Sequence, residues 1–336
     1  MQPSRRTWFI SAGLAVLAMA GAVLLYSGLR RGEVADASPA PELLSEMPAG
    51  APTLIYADLA AIRSSSFYRN RPDHSPLAVP DSDYTKFIQA TGFDFEKDLD
   101  RVAIAFWPLS LAQAQKKTVV VAEGRFDRQR IRDYAMKNGK LDHQSGYDVF
   151  LFPGRDPKAW NSLMFLDDHR IAMMEGSSIA SVFAPNGADS ATDPAHERAK
   201  RVTGAAVFLV SRVPPIPDNF APGGMQSAQL AGLVRSVQWI TLAARPEGEN
   251  LRVSLEGECQ TDTDARQLQS ALETLRMFGR AGLESPKNRQ TMDPATFNVH
   301  ETLLKTADVT ETAERVRILV EITPDVLKLG SAQKKR

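Results

Sequence analysis

Apolar and polar positions follow three rhythms along this chain, and each predicts a different kind of element. The first is an unbroken apolar run over residues 8–29, from Trp8 to Leu29, with no charge and no proline in 22 positions. At 1.5 Å of helical rise per residue it reaches roughly 33 Å, about the thickness of a bilayer's hydrocarbon core, so it predicts a transmembrane helix whose ends are Trp8 and Leu29. A cleaved leader has an apolar stretch of about 7 to 15 residues followed at once by a small-x-small site. Here Arg30 and Arg31 come next, and the nearest Ala-x-Ala, Ala35 to Ala37, lies beyond them. The run therefore reads as a retained signal anchor contacting the lipid bilayer.

The second rhythm is a set of short apolar runs bounded by Gly, Pro and Asp, which read as strands. "TLIYADLAAI" runs into a short helix. "DRVAIAFWP", "KTVVVAEG", "GYDVFLFP", "SLMFLDD" and "RIAMMEG" follow, with "DDHR" a tight turn. "AAVFLVSRV" and "SVQWITLAARPEGENLRVSLEGECQ" come later, the latter a hairpin turning at Glu247 to Asn250. In its second strand Leu251, Val253 and Leu255 alternate with Arg252, Ser254 and Glu256, which predicts one wet face.

The third rhythm has the helical period. "DRQRIRDYAMKNGK" carries a stripe of Ile131, Tyr134 and Ala135, with Asp127 placed to cap its start and Asn138–Gly139 placed as a left-handed stop. "TDARQLQSALETLRMFG" aligns Ala265, Leu268, Leu272, Leu275 and Phe278 on one stripe. "YTKFIQATGF" is a helix stopped by Gly92.

The two halves share an order of strand, helix, hairpin and helix. Glu123–Gly124 and Glu256–Gly257 each precede an Asp-initiated helix. An internal duplication and independent arrival at a common pattern both account for this. The expected architecture is α+β: an N-terminal transmembrane helix, then two mainly antiparallel sheet-plus-helix domains. The segments are 1–31 for the anchor, 32–52 for a flexible Ala/Pro/Glu-rich tether, 53–185 for the first domain and 186–203 for a connection. The second domain is 204–330, and 331–336 is a basic tail.

Composition narrows the chemistry. All 40 acidic residues follow position 31, whereas Arg5, Arg6, Arg30 and Arg31 precede it, so the part beyond the span has four more acids than bases. No basic field for nucleic acid results. Cys259 is the lone cysteine, which leaves no intrachain disulfide and no Cys-rich metal site. The five histidines are scattered, and Asp167–Asp168–His169 falls in a predicted turn, where Asp is favoured for backbone reasons. Glycine-rich phosphate loops and nucleophile motifs are missing, so the sequence offers no catalytic residue, no cofactor site and no metal site. One long loop, residues 213–224, presents Phe220 among Pro215, Pro217 and Pro222 and is a candidate partner-binding loop. Gly13, Ala20 and Ser27 recur every seven residues in the apolar run, a stripe that would let two anchors pack as a homodimer.

The anchor, "PAGAP" at 48–52, "ADL" at 57–59 and "EGRFD" at 123–127 together resemble a group of uncharacterised bacterial single-pass envelope proteins. The resemblance implies the cytoplasmic membrane, with the bulk of the chain periplasmic, and carries no activity. The function expected is therefore a non-enzymatic binding or assembly role with an envelope partner. An anchored hydrolase acting on cell-wall or glycan substrates through dispersed carboxylates is the alternative.

Overall fold

A computed structural model describes residues 41–69, 82–107, 117–153, 160–183, 193–214 and 235–323. In chain order the elements begin with α1 (Pro41–Ser45), β1 (Thr53–Asp58), α2 (Leu59–Ser64), α3 (Ser66–Arg69), α4 (Ser82–Thr91) and α5 (Phe95–Asp98). There follow β2 (Leu99–Trp107), β3 (Lys117–Gly124), α6 (Arg128–Asn138), β4 (Lys140–Gln144), β5 (Tyr147–Pro153), β6 (Trp160–Phe165) and β7 (Arg170–Glu175). Next come α7 (Ile179–Phe183), α8 (Pro194–Lys200), β8 (Val207–Arg212), β9 (Val237–Glu247) and β10 (Asn250–Cys259). The chain continues through α9 (Asp262–Glu284), α10 (Pro286–Thr291), α11 (Pro294–Thr306), β11 (Asp308–Thr312) and β12 (Arg315–Ile322).

The architecture is α+β, and it corrects the expected one. The strands belong to one twelve-stranded sheet in the order β11-β12-β10-β9-β8-β1-β2-β3-β7-β6-β5-β4, not to two separate sheets. The expectation of two sheets came from counting strands on either side of a polar connection, which says nothing about how the sheet continues. Among the described residues no helix is long and apolar enough to cross a membrane. The predicted span with Trp8 and Leu29 lies outside the described residues. By their contacts the described residues group into two compact units, one within Ala37–Arg63 and His74–Val207, the other within Ser64–Asp73 and Phe208–Arg336.

In the first unit β2 pairs antiparallel with β1 and β3, and β3 pairs with β7. The central residues of these strands are buried whichever face they point to, which is why they read as continuous apolar runs rather than alternating ones. Leu99, Ala122 and Ile171 form one buried cluster, with Phe93, Phe95 and Phe126 packed on it. Ala135 of α6 joins Phe150, Phe152 and Leu163 in another.

Asp127 caps α6, accepting from the Arg130 amide at 3.0 Å. Gly139 ends that helix, but not by the left-handed conformation the sequence suggested. Its φ of −145° is extended, and glycine is required because a Cβ there would lie 2.3 Å from the Leu151 carbonyl oxygen.

The two Glu-Gly pairs also differ. Gly124 closes β3 with the Asp98 carbonyl 2.3 Å from where a Cβ would sit. Gly257 lies inside β10, where a Cβ would make ordinary contact with Val237 at 3.5 Å.

Candidate functional site

In the second unit β10 pairs with β9 and β12, and β12 with β11. On one face Leu251, Val253 and Leu255 stand opposite Ile322, Val320 and Ile318 of β12 and Pro246, Ala244 and Leu242 of β9. Helix α9, capped by Thr261 through the Asp264 amide at 3.1 Å, covers part of this face. Its Ala265 joins Cys259, Val309 and Val316 in a buried cluster, with Leu268 and Leu272 against it. Burial also pushes the Cys259 thiol up, away from a reactive thiolate.

Toward its C-terminal end the helix then leaves the core. Leu275 is 39%, Met277 60% and Phe278 64% exposed. Gly279 faces Leu304 of α11, where an added Cβ would come within 3.3 Å, so α11 approaches closely at that position. On the sheet, Ile240 and Leu255 are 36% and 41% exposed. Five of the six exposed large apolar residues among those described thus sit in this unit, and three lie within one turn of α9.

Leu251 is buried and Arg252 exposed as the alternation of β10 requires, but Leu255 and Glu256 break it. Glu256, predicted wet, is only 8% exposed, because Arg317 of β12 donates to it at 2.7 and 3.1 Å from the directly facing position.

The first unit carries a row of charge. Asp58, Arg101, Glu123 and Arg170 face one another in register on β1, β2, β3 and β7, with alternating sign. Arg101 Nη1 donates to Glu123 Oε1 at 3.0 Å, and its Nε lies 3.5 Å from Asp58 Oδ2. Arg170 is held by Asp167 and Glu46, both at 2.5 Å. Asp58 also accepts from the Ala61 amide at 2.7 Å, at the start of α2. Burial, and then the Asp58 charge, push the neighbouring Tyr56 hydroxyl up. These charges pair with one another across the strands, a structural pattern for such a row, though Arg101 Nε makes no hydrogen bond of its own.

The turn residues behave in the same way. Asp167 accepts from the amides of His169 and Arg170 at 2.8 Å, and Asp168 pairs with Arg128 at 2.6 Å. Among the described residues no group of three His, Cys, Asp or Glu side chains could hold a metal ion.

Three carboxyls are held below their usual range. Asp142 is lowered first by the Gln144 amide. At Asp167 and Asp193 burial acts upward but is outweighed by hydrogen bonds, chiefly from Arg170 and from His196 respectively. A general acid needs the opposite displacement.

The loop residues Pro215, Pro217, Phe220 and Pro222 lie outside the described residues. The exposed end of α9 was not singled out in the sequence. Leu275 and Phe278 share a period with buried Ala265 and half-buried Leu268 and Leu272, so the pattern assigns all five to a core. Met277, an apolar residue off that stripe, was the available signal.

No family model and no curated protein matches the chain. Among solved structures, crystal forms I, IV and III of TP0453 are similar, at 10%, 13% and 11% identity and TM-scores of 0.42, 0.43 and 0.41. Each similarity covers 88% of this chain and, respectively, 98%, 97% and 99% of that one.

Proposed function

We propose that this is a membrane-anchored, extracytoplasmic protein with a non-enzymatic binding or assembly role in the cell envelope, and that its partner is a protein covering the exposed end of α9. The observation that carries the reading is the cluster of Leu275, Met277 and Phe278, left exposed where most other large apolar side chains among the described residues are buried or half-buried. Met and aromatic side chains are the types enriched at protein interfaces, and a few such anchors supply most of the binding energy. The uncharged run at residues 8–29 supports anchoring, and of the Ala/Pro/Glu-rich stretch after it residues 41–50 pack on the fold, with Leu43, Leu44 and Met47 buried. A hydrolase working through two carboxylates would need one of them raised, and the displaced carboxyls of the described residues are all lowered.

A photocrosslinking side chain placed at Phe278 in intact cells tests this, with Thr263 on the same helix as control. The expected result is an adduct with another envelope protein from position 278 and none from 263. Equal labelling at both positions overturns the reading, as does an adduct of twice the chain's own mass, which would name a second copy as the occupant.

A further inference from the structure

Residues 41–50 form a strap, α1 and the turn after it, with the Leu43, Leu44 and Met47 side chains buried. Two backbone groups of the strap end on the start of α8. The Gly50 amide donates to Asp193 Oδ1 at 2.7 Å, and the Leu44 carbonyl lies 3.1 Å from His196 Nε2. His196 and Asp193 are also joined to each other, Nδ1 to Oδ2, at 2.8 Å, with each side chain only 6% exposed. The same Oδ2 accepts from the amides of Ala195 and His196 as the N-cap of α8.

A carboxylate and a carbonyl oxygen can only accept hydrogen bonds. The His196 ring stands between one of each, so both its nitrogens donate only when it carries two protons. A neutral ring has a single N–H. In either tautomer one of the two contacts then sets lone pair against lone pair, between side chains that are almost wholly buried.

We infer that His196 is a proton-dependent latch: its doubly protonated ring holds the strap of residues 41–50 on α8, and loss of one proton releases the tie to Leu44 and loosens the strap. The charged groups around it leave Asp193 as the ring's counter-charge. On α8, Glu197 is paired with Lys200 at 3.4 Å and Arg198 donates to the Pro194 carbonyl. On the strap, Glu42 is exposed and Glu46 is held by Arg170. On β1, against which α8 packs, Asp58 is engaged by Ala61 and Arg101, and Tyr56 keeps its proton.

Burial acts upward on the Asp193 carboxyl, but hydrogen bonds from the His196 ring and the Gly50 amide outweigh it and hold it below the usual range. Asp193 therefore stays ionised above the usual carboxylate range. The proton count of the ring then sets the tie, because two protons make both contacts and one proton makes only one. Because the strap connects the apolar N-terminal run to β1, its release adds up to about 33 Å of extended chain to that connection.

Two-bond proton–nitrogen spectra of the full chain in detergent micelles read the ring directly. At pH 5.5 both ring nitrogens of His196 should carry protons, and at pH 8.5 only one. Over that interval the protection of the Gly50 amide and of the Met47 amide, which donates to Leu44 at 3.0 Å, should fall about tenfold after correction for intrinsic exchange. In His196→Gln, which keeps a donor but cannot be charged, protection should not vary with pH. A singly protonated ring throughout with Gly50 still protected overturns the latch, and so does a wild-type pH profile in the variant. If His196→Gln does not fold, the ring titration of the unaltered chain decides alone.

Discussion

Gly124 and Gly257 look alike in the sequence, each following a Glu and preceding a capped helix, yet they answer to different constraints. At Gly124 the backbone of Asp98 passes so close that an added methyl group would sit 2.3 Å from its carbonyl oxygen. Backbone cannot step aside as a flexible side chain can. Gly124→Ala should therefore destabilise the fold by about 1 to 3 kcal/mol, the usual cost of forcing an extra group into a filled space. Gly257→Ala should be neutral or slightly stabilising, since the methyl meets Val237 at 3.5 Å and the unfolded chain loses freedom. Urea midpoints at unchanged slope would separate the two. Equal effects would mean that the close approach at Asp98 relaxes at little cost. Gly139 teaches the same lesson: the sequence pointed correctly to a stop after Asn138, but the reason is the Leu151 carbonyl, a residue 12 positions away that no local pattern reveals.

At the level of elements, what was legible depended on how completely an element is buried. Strands β2, β3, β5, β6 and β7 are apolar runs between turn residues because their middles are enclosed, and the sequence located them. β10 alternates cleanly, yet Leu255 is exposed and Glu256 is not, because α9 covers only part of one face and Arg317 closes over the other. Period names the faces of an element without saying what lies against them. α9 shows this within a single helix. Ala265 is fully buried and Phe278 mostly exposed, though both lie on one stripe. Phe278→Ser should accordingly change stability by no more than about 0.5 kcal/mol, while Ala265→Leu should cost about 1 to 3 kcal/mol by overpacking the cluster with Val309 and Val316. Similar losses from both changes, measured by denaturant unfolding, would show that the end of α9 is covered in the isolated chain.

For the whole molecule, a sheet of twelve strands has two ends, and an end strand offers unpaired backbone groups to any other chain. The end strands are β4, "KLDHQ", and β11, "DVTET", each five residues long and mostly polar. Neither is legible in the sequence, because a short polar segment carries no apolar rhythm and resembles a loop. That same polarity protects the sheet. Short, charged end strands discourage edge-to-edge pairing, so the feature that hides them from pattern reading is the one their position requires. On β11, Val309 points into the core while Asp308 and Thr310 are exposed, so the exposed pair can be changed without touching the buried cluster. The double variant Asp308→Val, Thr310→Val raises β-propensity and removes an edge charge. Its urea midpoint should be equal or higher, yet sedimentation should reveal oligomers at concentrations where the unaltered chain is monodisperse. A variant that sediments like the parent would show that charge on β11 is not what keeps this end of the sheet unpaired.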